Sequence, residues 1–439
     1  MGRGTRRGPK PLHFIALRSD LQNAITNILD PRRQASITYQ LHDCYLSAYA
    51  MFYLQDPALL EFQRRFQNTL QRNNLSSVFG VQAIPKDSQL RDLIDTRSYE
   101  PLKAVFPHWL ERIRRAKLLE EYRYLDGKYL ITLDGSDYFS SESIHCDKCL
   151  RSRTVDGSIR YHHQILQATI VRPGNKIVLP LAPEFVVNTD GASKQDCETN
   201  AGKRLIKRLR GTHRQLPAII VGDSLYSKQP FIQLLTRLRF SFILVAKPKD
   251  HKSLFEDISG IRRGQMLNTW QYRDKAGAVH RYEWVNGVPL NGNAKSPAVN
   301  FVEYWIIKAN GEIGFHNTWV TDIEINKDNV AQIVTGGRAR WKIENEGFNT
   351  LKNHGYHLKH NFGHGKRNLS EAFFLLNLLA FYAHQIFQMV DGVYQMARAR
   401  FSSRREFWNA TRSAFRFFLF DSWDEVLQRM NSPPQPHAP

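Results

Sequence analysis

Cysteine is scarce in this sequence, with four cysteines among 439 residues. So few in so long a chain do not make a disulfide framework, which excludes the small secreted folds that depend on disulfides. A long apolar run is also missing, because the most apolar stretch, residues 372–383, contains Asn377 and is shorter than the about 20 residues that span a bilayer. No apolar signal segment follows the basic residues 1–10. These absences predict a cytoplasmic protein.

Acidic residues are outnumbered, with 41 Asp and Glu against 61 Lys and Arg and a net charge of +20. This excess favours a polyanionic partner, with nucleic acid as the first candidate and an anionic membrane surface as the second. A basic amphipathic helix with an exposed apolar face, which a membrane-surface protein would need, is not evident. Nucleic acid is therefore the predicted partner, and association with the nucleoid is the predicted location.

Hydrophobic spacing and turn residues divide the chain into five regions. The predicted regions are a helical N-terminal part (1–120), a first core part (121–248), a β-rich insertion (249–325), a second core part with a long helical pattern (326–400), and a C-terminal tail (401–439). Strand and helix patterns alternate in the core, which predicts an α/β fold with helices packed on a central sheet. Recurrent arginines make the N-terminal part a predicted DNA-binding region. These are Arg64, Arg65, Arg72, Arg112, Arg114 and Arg115.

Two apolar strand patterns each run directly into an aspartate. Asp134 follows the pattern at residues 129–133, and Asp223 follows the pattern at residues 216–221 after one glycine. Chemistry in open α/β sheets collects at strand ends, although either aspartate alone could equally cap a loop or a helix. Two neighbouring carboxylates repel each other unless a cation neutralises them. Ligands that are all oxygen favour Mg²⁺ or Mn²⁺ over zinc.

A third acid is expected from a helix that packs on the sheet. Helical spacing places Glu344 on one face with Phe348 and Leu351, which predicts that Glu344 points toward the sheet. Glu346 lies about 200° around the helix from Glu344, so it is interpreted as a surface acid. Arg340 precedes Glu344 by one turn and could pair with it or bind a phosphate.

Together these segments resemble the insertion-sequence transposases with a DDE catalytic core, which belong to the ribonuclease-H-like and retroviral-integrase-like superfamily. The resemblance covers roughly residues 134–364. It implies a ribonuclease-H-like mixed sheet core with a β-rich insertion. It also implies that Asp134, Asp223 and Glu344 are the catalytic residues and hold two Mg²⁺ or Mn²⁺ ions.

The helical segment around Glu344 resembles the signature Tyr-x2-Arg-x3-Glu-x6-Lys of that family. Arg340 matches the arginine, whereas position 337 is a glycine where the tyrosine would stand. Lys352 follows Glu344 by eight positions instead of seven, because position 351 is Leu. The resemblance implies DNA contacts for Arg340, and Lys352 is a further candidate for contact with the DNA phosphates.

The activity implied by the resemblance is cutting and joining of DNA at the ends of a mobile element. Two metal ions would polarise the scissile phosphate, activate water for cleavage, and then activate the freed 3′-hydroxyl for attack on target DNA. Both element ends must meet in one complex, which favours a homodimer on double-stranded DNA. Two alternatives stay open: a ribonuclease-H-like nuclease without strand transfer, and an inactive DNA-binding protein derived from a transposase.

A second group of residues has the spacing of a zinc ligand pair. Cys146 and Cys149 form a C-x-x-C motif, which is a common half of a structural Zn²⁺ site. The other half could come from His162, His163 or Cys197. The alternative interpretation is two reduced cysteines in a loop.

Residues 190–210 contain further acids and a basic helix face. Asp190, Asp196 and Glu198 are interpreted as capping or supporting residues, because acids suit the first turn of a helix. The basic face is a candidate DNA surface, with a solvated helix face as the alternative. Its residues are Lys203, Arg204, Lys207, Arg208 and Arg210.

Overall fold

The fold was obtained as a computed structural model that describes residues 8–33, 35, 37–66, 73–188 and 196–432. Arg72 and Asp190, which the sequence raised as a DNA contact and as a rival acid, lie outside these residues.

A mixed sheet of eleven described strands forms the centre of the protein. Its strands are β1 (Tyr129–Ser141), β2 (Leu150–Arg153), β3 (Ile159–Val171), β4 (Leu179–Pro180), β5 (Glu184–Val186), β6 (Ala218–Gly222), β7 (Ser241–Val245), β8 (Asn268–Arg273), β9 (Val279–Pro289), β10 (Ala298–Ile307) and β11 (Ile313–Thr321). The order is β2-β3-β1-β6-β7-β11-β10-β9-β8, and the short β4 and β5 also pair with β3. β1, β6 and β7 run parallel, and the other pairings are antiparallel.

Helices surround this sheet, which confirms the predicted α/β class and is consistent with a ribonuclease-H-like core. The described α-helices are α1 (Phe14–Thr26), α2 (Leu41–Tyr53), α3 (Leu59–Phe66), α4 (Asp87–Asp95), α5 (Glu100–Lys103), α6 (Val105–Arg115), α7 (Glu198–Thr212), α8 (Gln229–Arg237), α9 (Lys252–Arg263), α10 (Val330–Arg338), α11 (Asn349–Asn353), α12 (Leu369–Val390), α13 (Gly392–Ala399), α14 (Arg404–Phe417) and α15 (Trp423–Asn431). Two π-helical segments, Leu75–Phe79 and Ile343–Phe348, and three short 3-10 segments, Lys10–Leu12, Leu118–Tyr122 and Leu125–Gly127, complete the described helical part.

The first strand differs from its prediction. It was expected to end at Asp134, but β1 continues to Ser141, because its second half pairs with the antiparallel β3. Its first half is apolar and fully buried, as are the residues of β6. Continuous apolar runs of this kind are typical of parallel strands covered on both faces. The glycine at position 135 therefore lies within a longer strand and does not end it.

The second core part is also less continuous than its sequence pattern predicts. The single helical pattern expected after residue 326 is divided into α10, the π-helical segment Ile343–Phe348 and α11. Wider π-helical winding shifts the side chains that follow it around the axis. The β-rich pattern of residues 249–325 corresponds to α9 and the four strands β8–β11, which extend the core sheet through the pairing of β11 with β7.

α12 is the central helix of the α-helical side of the protein. It is the one helix of the described chain that is long and apolar enough to cross a membrane, but 83% of its most apolar window is buried inside the protein. α2 and α4 from the N-terminal part pack directly on it. The N-terminal helices therefore share one hydrophobic core with the central sheet and with α12.

The region predicted as a C-terminal tail contains two helices in its described part. Residues 404–431 form α14 and α15, which bury Trp408 and Trp423 to 1% and 2% exposure. The Trp423 ring lies 5.1 Å from Tyr53 of α2, so the chain returns to the N-terminal helices. The Asn74 amide supports this return by donating to the carbonyls of Phe415 and Phe418. Apolar residues at helical spacing, which the proline-rich end of the chain obscured, account for the difference.

Two consecutive glycines let α10 approach the sheet closely. A Cβ at Gly336 would stand 3.1 Å from the Tyr124 ring, and a Cβ at Gly337 would stand 2.6 Å from the Trp319 indole nitrogen. Trp319 is 1% exposed and has no room to move away. This explains why a glycine occupies position 337, where the family signature has tyrosine.

Gly337→Ala should therefore destabilise the protein by about 1–3 kcal/mol, because the added methyl overpacks a buried indole. Gly260→Ala in α9 is the matched control, since a Cβ there would meet nothing within 4 Å. The control should leave the stability unchanged or raise it slightly, because alanine favours a helix over glycine. Urea unfolding of the two variants measures the difference, and equal stabilities would contradict the close approach of α10 to β11.

Candidate active site

The two strand aspartates lie side by side on neighbouring parallel strands. β1 and β6 pair in register from Tyr129 with Ala218 to Thr132 with Val221. Asp134 and Asp223 each follow the last of these pairs by two residues, so the register places both carboxylates at one level of the sheet. Both side chains are half-buried. The buried strands thus carry a pair of acids to a partly solvated edge of the core.

Glu344 comes to this edge from the π-helical segment that packs against β1. After burial, which is the main cause, the charge of Glu344 contributes to the raised pKa of the Asp134 carboxyl. The Glu344 side chain is exposed, not buried toward the sheet as the helical spacing predicted. Glu346 instead lines a groove on the other side of the same segment. Glu346, which was predicted to be a surface acid, is the more buried of the two glutamates, and the choice of Glu344 as the third acid stays a prediction.

Two basic residues lie among these acids. Arg340 forms an ion pair with Asp134 across 3.5 Å, and its guanidinium also lies over the Trp341 ring. Lys352 donates from Nζ to Oγ of Ser136 at 2.7 Å, two residues beyond Asp134. The one-residue offset of Lys352 from the family signature does not remove it from the site, because the π-helical segment rotates the residues that follow it.

Glu198, which sequence reasoning took for a capping or supporting residue, belongs to the same acidic cluster. Its Oε1 accepts a 2.7 Å hydrogen bond from the Tyr226 hydroxyl, and its Oε2 accepts from the Gln164 amide at 3.2 Å. A Cβ at Gly135 would overlap the Glu198 carboxylate, so the glycine after Asp134 makes the space for it. The first residue of α7 is thus directed into the site. The glycine after the strand aspartate was the sequence signal that could have indicated it.

Electrostatic repulsion marks this cluster. Burial, together with the charges of Glu198, Glu344 and Asp223, raises the pKa of Asp134 to about 6 against the opposing effect of Arg340. Burial also raises the pKa of Glu198, to which Asp223 contributes. Several carboxylates that share one site favour a cation among them.

Other predicted charges are neutralised inside the protein. Asp196 pairs with Arg204 at 2.8 Å, so it is not part of the acidic cluster. Arg208 pairs with Glu184, and Arg210 donates to the carbonyls of Leu238 and Leu216. Of the predicted basic face on α7, Lys203, Lys207 and Arg210 have no ion pair among those described, and Arg210 is held by backbone carbonyls instead. The guanidinium groups of Arg204, Arg208 and Arg210 thus tie α7 to its neighbours, and the DNA surface on this helix stays a prediction.

The arginines of the N-terminal region are similarly divided. Arg65 is buried in an ion pair with Asp56, and Arg112 binds Asp20 of α1 at 2.6 Å. Arg114 and Arg115 remain exposed and share Glu111. Arg64 is exposed on α3. Two of the predicted DNA contacts thus hold helices together, while three keep access to solvent.

A basic groove lies beside the π-helical segment Ile343–Phe348. Its walls are the segment itself and the residues that lead into α14. The lining residues include Asn345, Glu346, Asn349, Arg398, Arg404 and Arg405. The two adjacent arginines open α14, where cations oppose the helix dipole. An anion in the groove would relieve this unfavourable arrangement.

The cysteine pair also acquires partners in the structure. Cys146 and Cys149 lie against His163 and His364, and one ligand atom from each lies within 4.8 Å of the others. His163 was among the predicted partners. His162 contacts Asp137 instead, and Cys197 is exposed at the start of α7. Sequence reasoning missed His364, whose Gly- and His-rich loop was the available signal.

Comparison with known proteins identifies one family. A family model described as a transposase DDE domain matches residues 161–382, which is just over half of the chain. The match includes Asp223 and Glu344 and begins after Asp134. No curated protein matches the chain.

Asp134→Asn should raise the melting temperature of chelator-treated protein at mildly alkaline pH. The folded pKa of about 6 exceeds the ordinary value of 3.8, so the folded protein favours the protonated form. The ionised carboxylate therefore destabilises the fold above the folded pKa, by about 1–3 kcal/mol, and this cost disappears below the unfolded pKa. Thermal melting of both proteins over a pH series measures the effect. A lower melting temperature for the variant at alkaline pH would show instead that the Arg340 ion pair outweighs the repulsion.

Proposed function

Since the chain belongs to the family of transposases with a DDE domain, we propose that it cuts DNA phosphodiesters at the ends of a mobile element and joins the freed 3′ ends to a target. Asp134, Asp223 and Glu344 are the proposed catalytic residues. The observation that carries this proposal is the register of β1 and β6, which sets two aspartates side by side where a glutamate from another element adds its charge.

The acidic cluster fits a divalent cation. All of its donors are carboxylate oxygens, which are the ligands that Mg²⁺ and Mn²⁺ prefer. The pKa of Asp134 is raised mainly by burial and further by the neighbouring carboxylates, and a bound cation would favour its ionised form. Asp134, Asp223 and Glu344 would hold the ions, and Glu198 is close enough to contribute a fourth carboxylate. When bound, two such ions supply the charge that stabilises the entering and leaving oxygens of a phosphoryl transfer.

Arg340 and Lys352 are proposed to position DNA phosphates beside the acids. Arg340 donates one N–H group to Asp134 in a long contact of 3.5 Å. Its remaining N–H groups could donate to a phosphate. Lys352 is held over the Phe348 ring and against Ser136, which fixes its ammonium near Asp134 and Glu344. Both cations also reduce the repulsion between the acids and an approaching phosphate.

The basic groove beside the catalytic segment is proposed to hold the DNA backbone. Its asparagine amides and arginines are the donors that phosphates accept from, and it follows the segment that carries Glu344. The exposed arginines of the N-terminal region offer a second, separate surface. Two element ends in one complex would require two copies of the chain, so we propose a homodimer on DNA.

Alanine at Asp134, Asp223 or Glu344 should each abolish cleavage of DNA that carries the element ends. Loss of one ligand should lower the rate by orders of magnitude, because the charge that stabilises the transition state is lost. Binding of the same DNA should persist or tighten slightly, since negative charge is removed from the site. A gel assay that separates bound, cleaved and strand-transfer products measures all three effects.

Glu346→Ala is the matched control, two positions from Glu344 on the same segment, and it should keep most activity. Normal cleavage by Asp134→Ala or Asp223→Ala would overturn the mechanism. A dead Glu346→Ala beside an active Glu344→Ala would move the third acid to Glu346. Cleavage without any joined product would favour the nuclease alternative. Glu198→Gln keeps an acceptor for Tyr226, so a higher Mg²⁺ requirement in this variant would show that its charge contributes.

The paired substitution Arg404→Ala with Arg405→Ala should weaken DNA binding and reduce its dependence on salt concentration by about one to two units of the logarithmic slope. Arg114→Ala with Arg115→Ala removes the same charge from the N-terminal region and is the matched comparison. Fluorescence anisotropy over a salt series measures both slopes. A reduced slope for the N-terminal pair and an unchanged slope for the groove pair would place the DNA on the N-terminal region instead.

A further inference from the structure

We infer that Cys146, Cys149, His163 and His364 form a structural zinc site that is separate from the acidic cluster. The distances between the four ligand atoms carry this inference. A tetrahedral Zn²⁺ with about 2.3 Å bonds to sulfur and about 2.0–2.1 Å bonds to nitrogen separates its ligands by about 3.8 Å for two sulfurs, about 3.6 Å for sulfur and nitrogen, and about 3.3 Å for two nitrogens.

The observed separations follow this pattern. The two Sγ atoms lie 3.9 Å apart. Nε2 of His163 lies 3.5 Å from each sulfur, and Nε2 of His364 lies 3.3 Å from Cys149. The two Nε2 atoms lie 3.0 Å apart. Both imidazoles thus direct the same nitrogen to one point between the sulfurs.

The surroundings of the four residues suit a closed site. Cys149, His163 and His364 are buried to between 1% and 6% exposure. Nδ1 of His364 lies 2.8 Å from the Gly365 carbonyl, which fixes its proton on Nδ1 and leaves Nε2 free to bind a metal. The Cys146 amide donates to Sγ of Cys149 at 3.5 Å, which supports a thiolate there. Two sulfurs and two nitrogens select zinc over magnesium, and four protein ligands leave no open position for catalysis.

The ligands come from three parts of the chain that are far apart in sequence. Cys146 and Cys149 lie in the loop after β1, His163 lies on β3, and His364 lies in the loop before α12. Phe139, which pairs with His163, follows Asp134 by five residues along β1. His163 is therefore paired about 16 Å along the strand from Asp134, at about 3.3 Å per residue.

The role assigned to this metal is to hold in place the loop of residues 354–368, which follows the π-helical segment and α11. The same end of this loop is also held by Asp95, whose carboxylate accepts from the backbone N–H groups of residues 366–369. Nearby, Lys148 pairs with the buried Glu371 of α12 at 3.3 Å. Zinc would link this loop to the loop after β1 and to β3. It would thereby hold the chain that follows α11, which carries Lys352 and comes directly after the π-helical segment with Glu344.

Metal analysis of the purified full chain tests the inference. We expect about one zinc per chain, and we expect loss of that zinc with a melting temperature several degrees lower in Cys149→Ser and in His364→Ala. Cys197→Ser and His360→Ala are the matched controls, because both residues are exposed and outside the cluster, and they should keep zinc and stability. Asp134→Ala should also keep zinc, which separates this result from any outcome for the proposed transposase activity.

A measurement on the unchanged protein avoids variants that fail to fold. Zinc removed with a chelator and replaced with Co²⁺ should give the visible absorption of tetrahedral cobalt with a thiolate band. Folded wild-type protein that contains no zinc and takes up no cobalt would overturn the inference. Full zinc content in both Cys149→Ser and His364→Ala would overturn it as well.

Discussion

Parallel pairing of β1 with β6 is the constraint on which the acidic cluster depends. Buried apolar residues on both strands fix the register, because a slip of one residue would turn each side chain to the opposite face. The register in turn fixes the level of Asp134 against that of Asp223. The core thus holds carboxylates near one another in partly buried positions, and the pKa of Asp134 is raised mainly by this burial and further by the neighbouring acids.

Close packing brings the remaining members to this pair. The glycines of α10 allow the helix to lie against Trp319. On the π-helical segment that follows, Glu344 is exposed, whereas Glu346 lines the basic groove. Gly135, which has no side chain, leaves the space beside Asp134 that the Glu198 carboxylate occupies. Small residues at these positions are therefore part of the site, since each permits an approach that a side chain would block. At Gly135, Gly336 and Gly337, close packing of the fold and assembly of the acidic cluster both require a residue without a side chain.

The charge of the protein is distributed in two ways. Many arginines hold elements together, such as Arg112 on Asp20 of α1 and Arg204 on Glu184 and Asp196. Others, including Arg404 and Arg405, stand at a groove with no acid partner among the described ion pairs. The net excess of positive charge predicted a polyanionic partner correctly at the level of the family, but it could not indicate which arginines meet that partner. Ion pairing within the fold decides this, since a neutralised guanidinium contributes little to the external field.

The sequence by itself determined the α/β class, the transposase family, the two strand aspartates and the half of the metal motif at Cys146 and Cys149. These features are local, because apolar runs, turn residues and short spacings are readable over a few positions. The tertiary structure alone decided that Glu198 joins the acids, that His364 completes the cysteine cluster, and that residues 404–431 return as helices to the N-terminal core. Each of these depends on contacts between residues far apart in the chain, and only packing of the whole core brings such residues together.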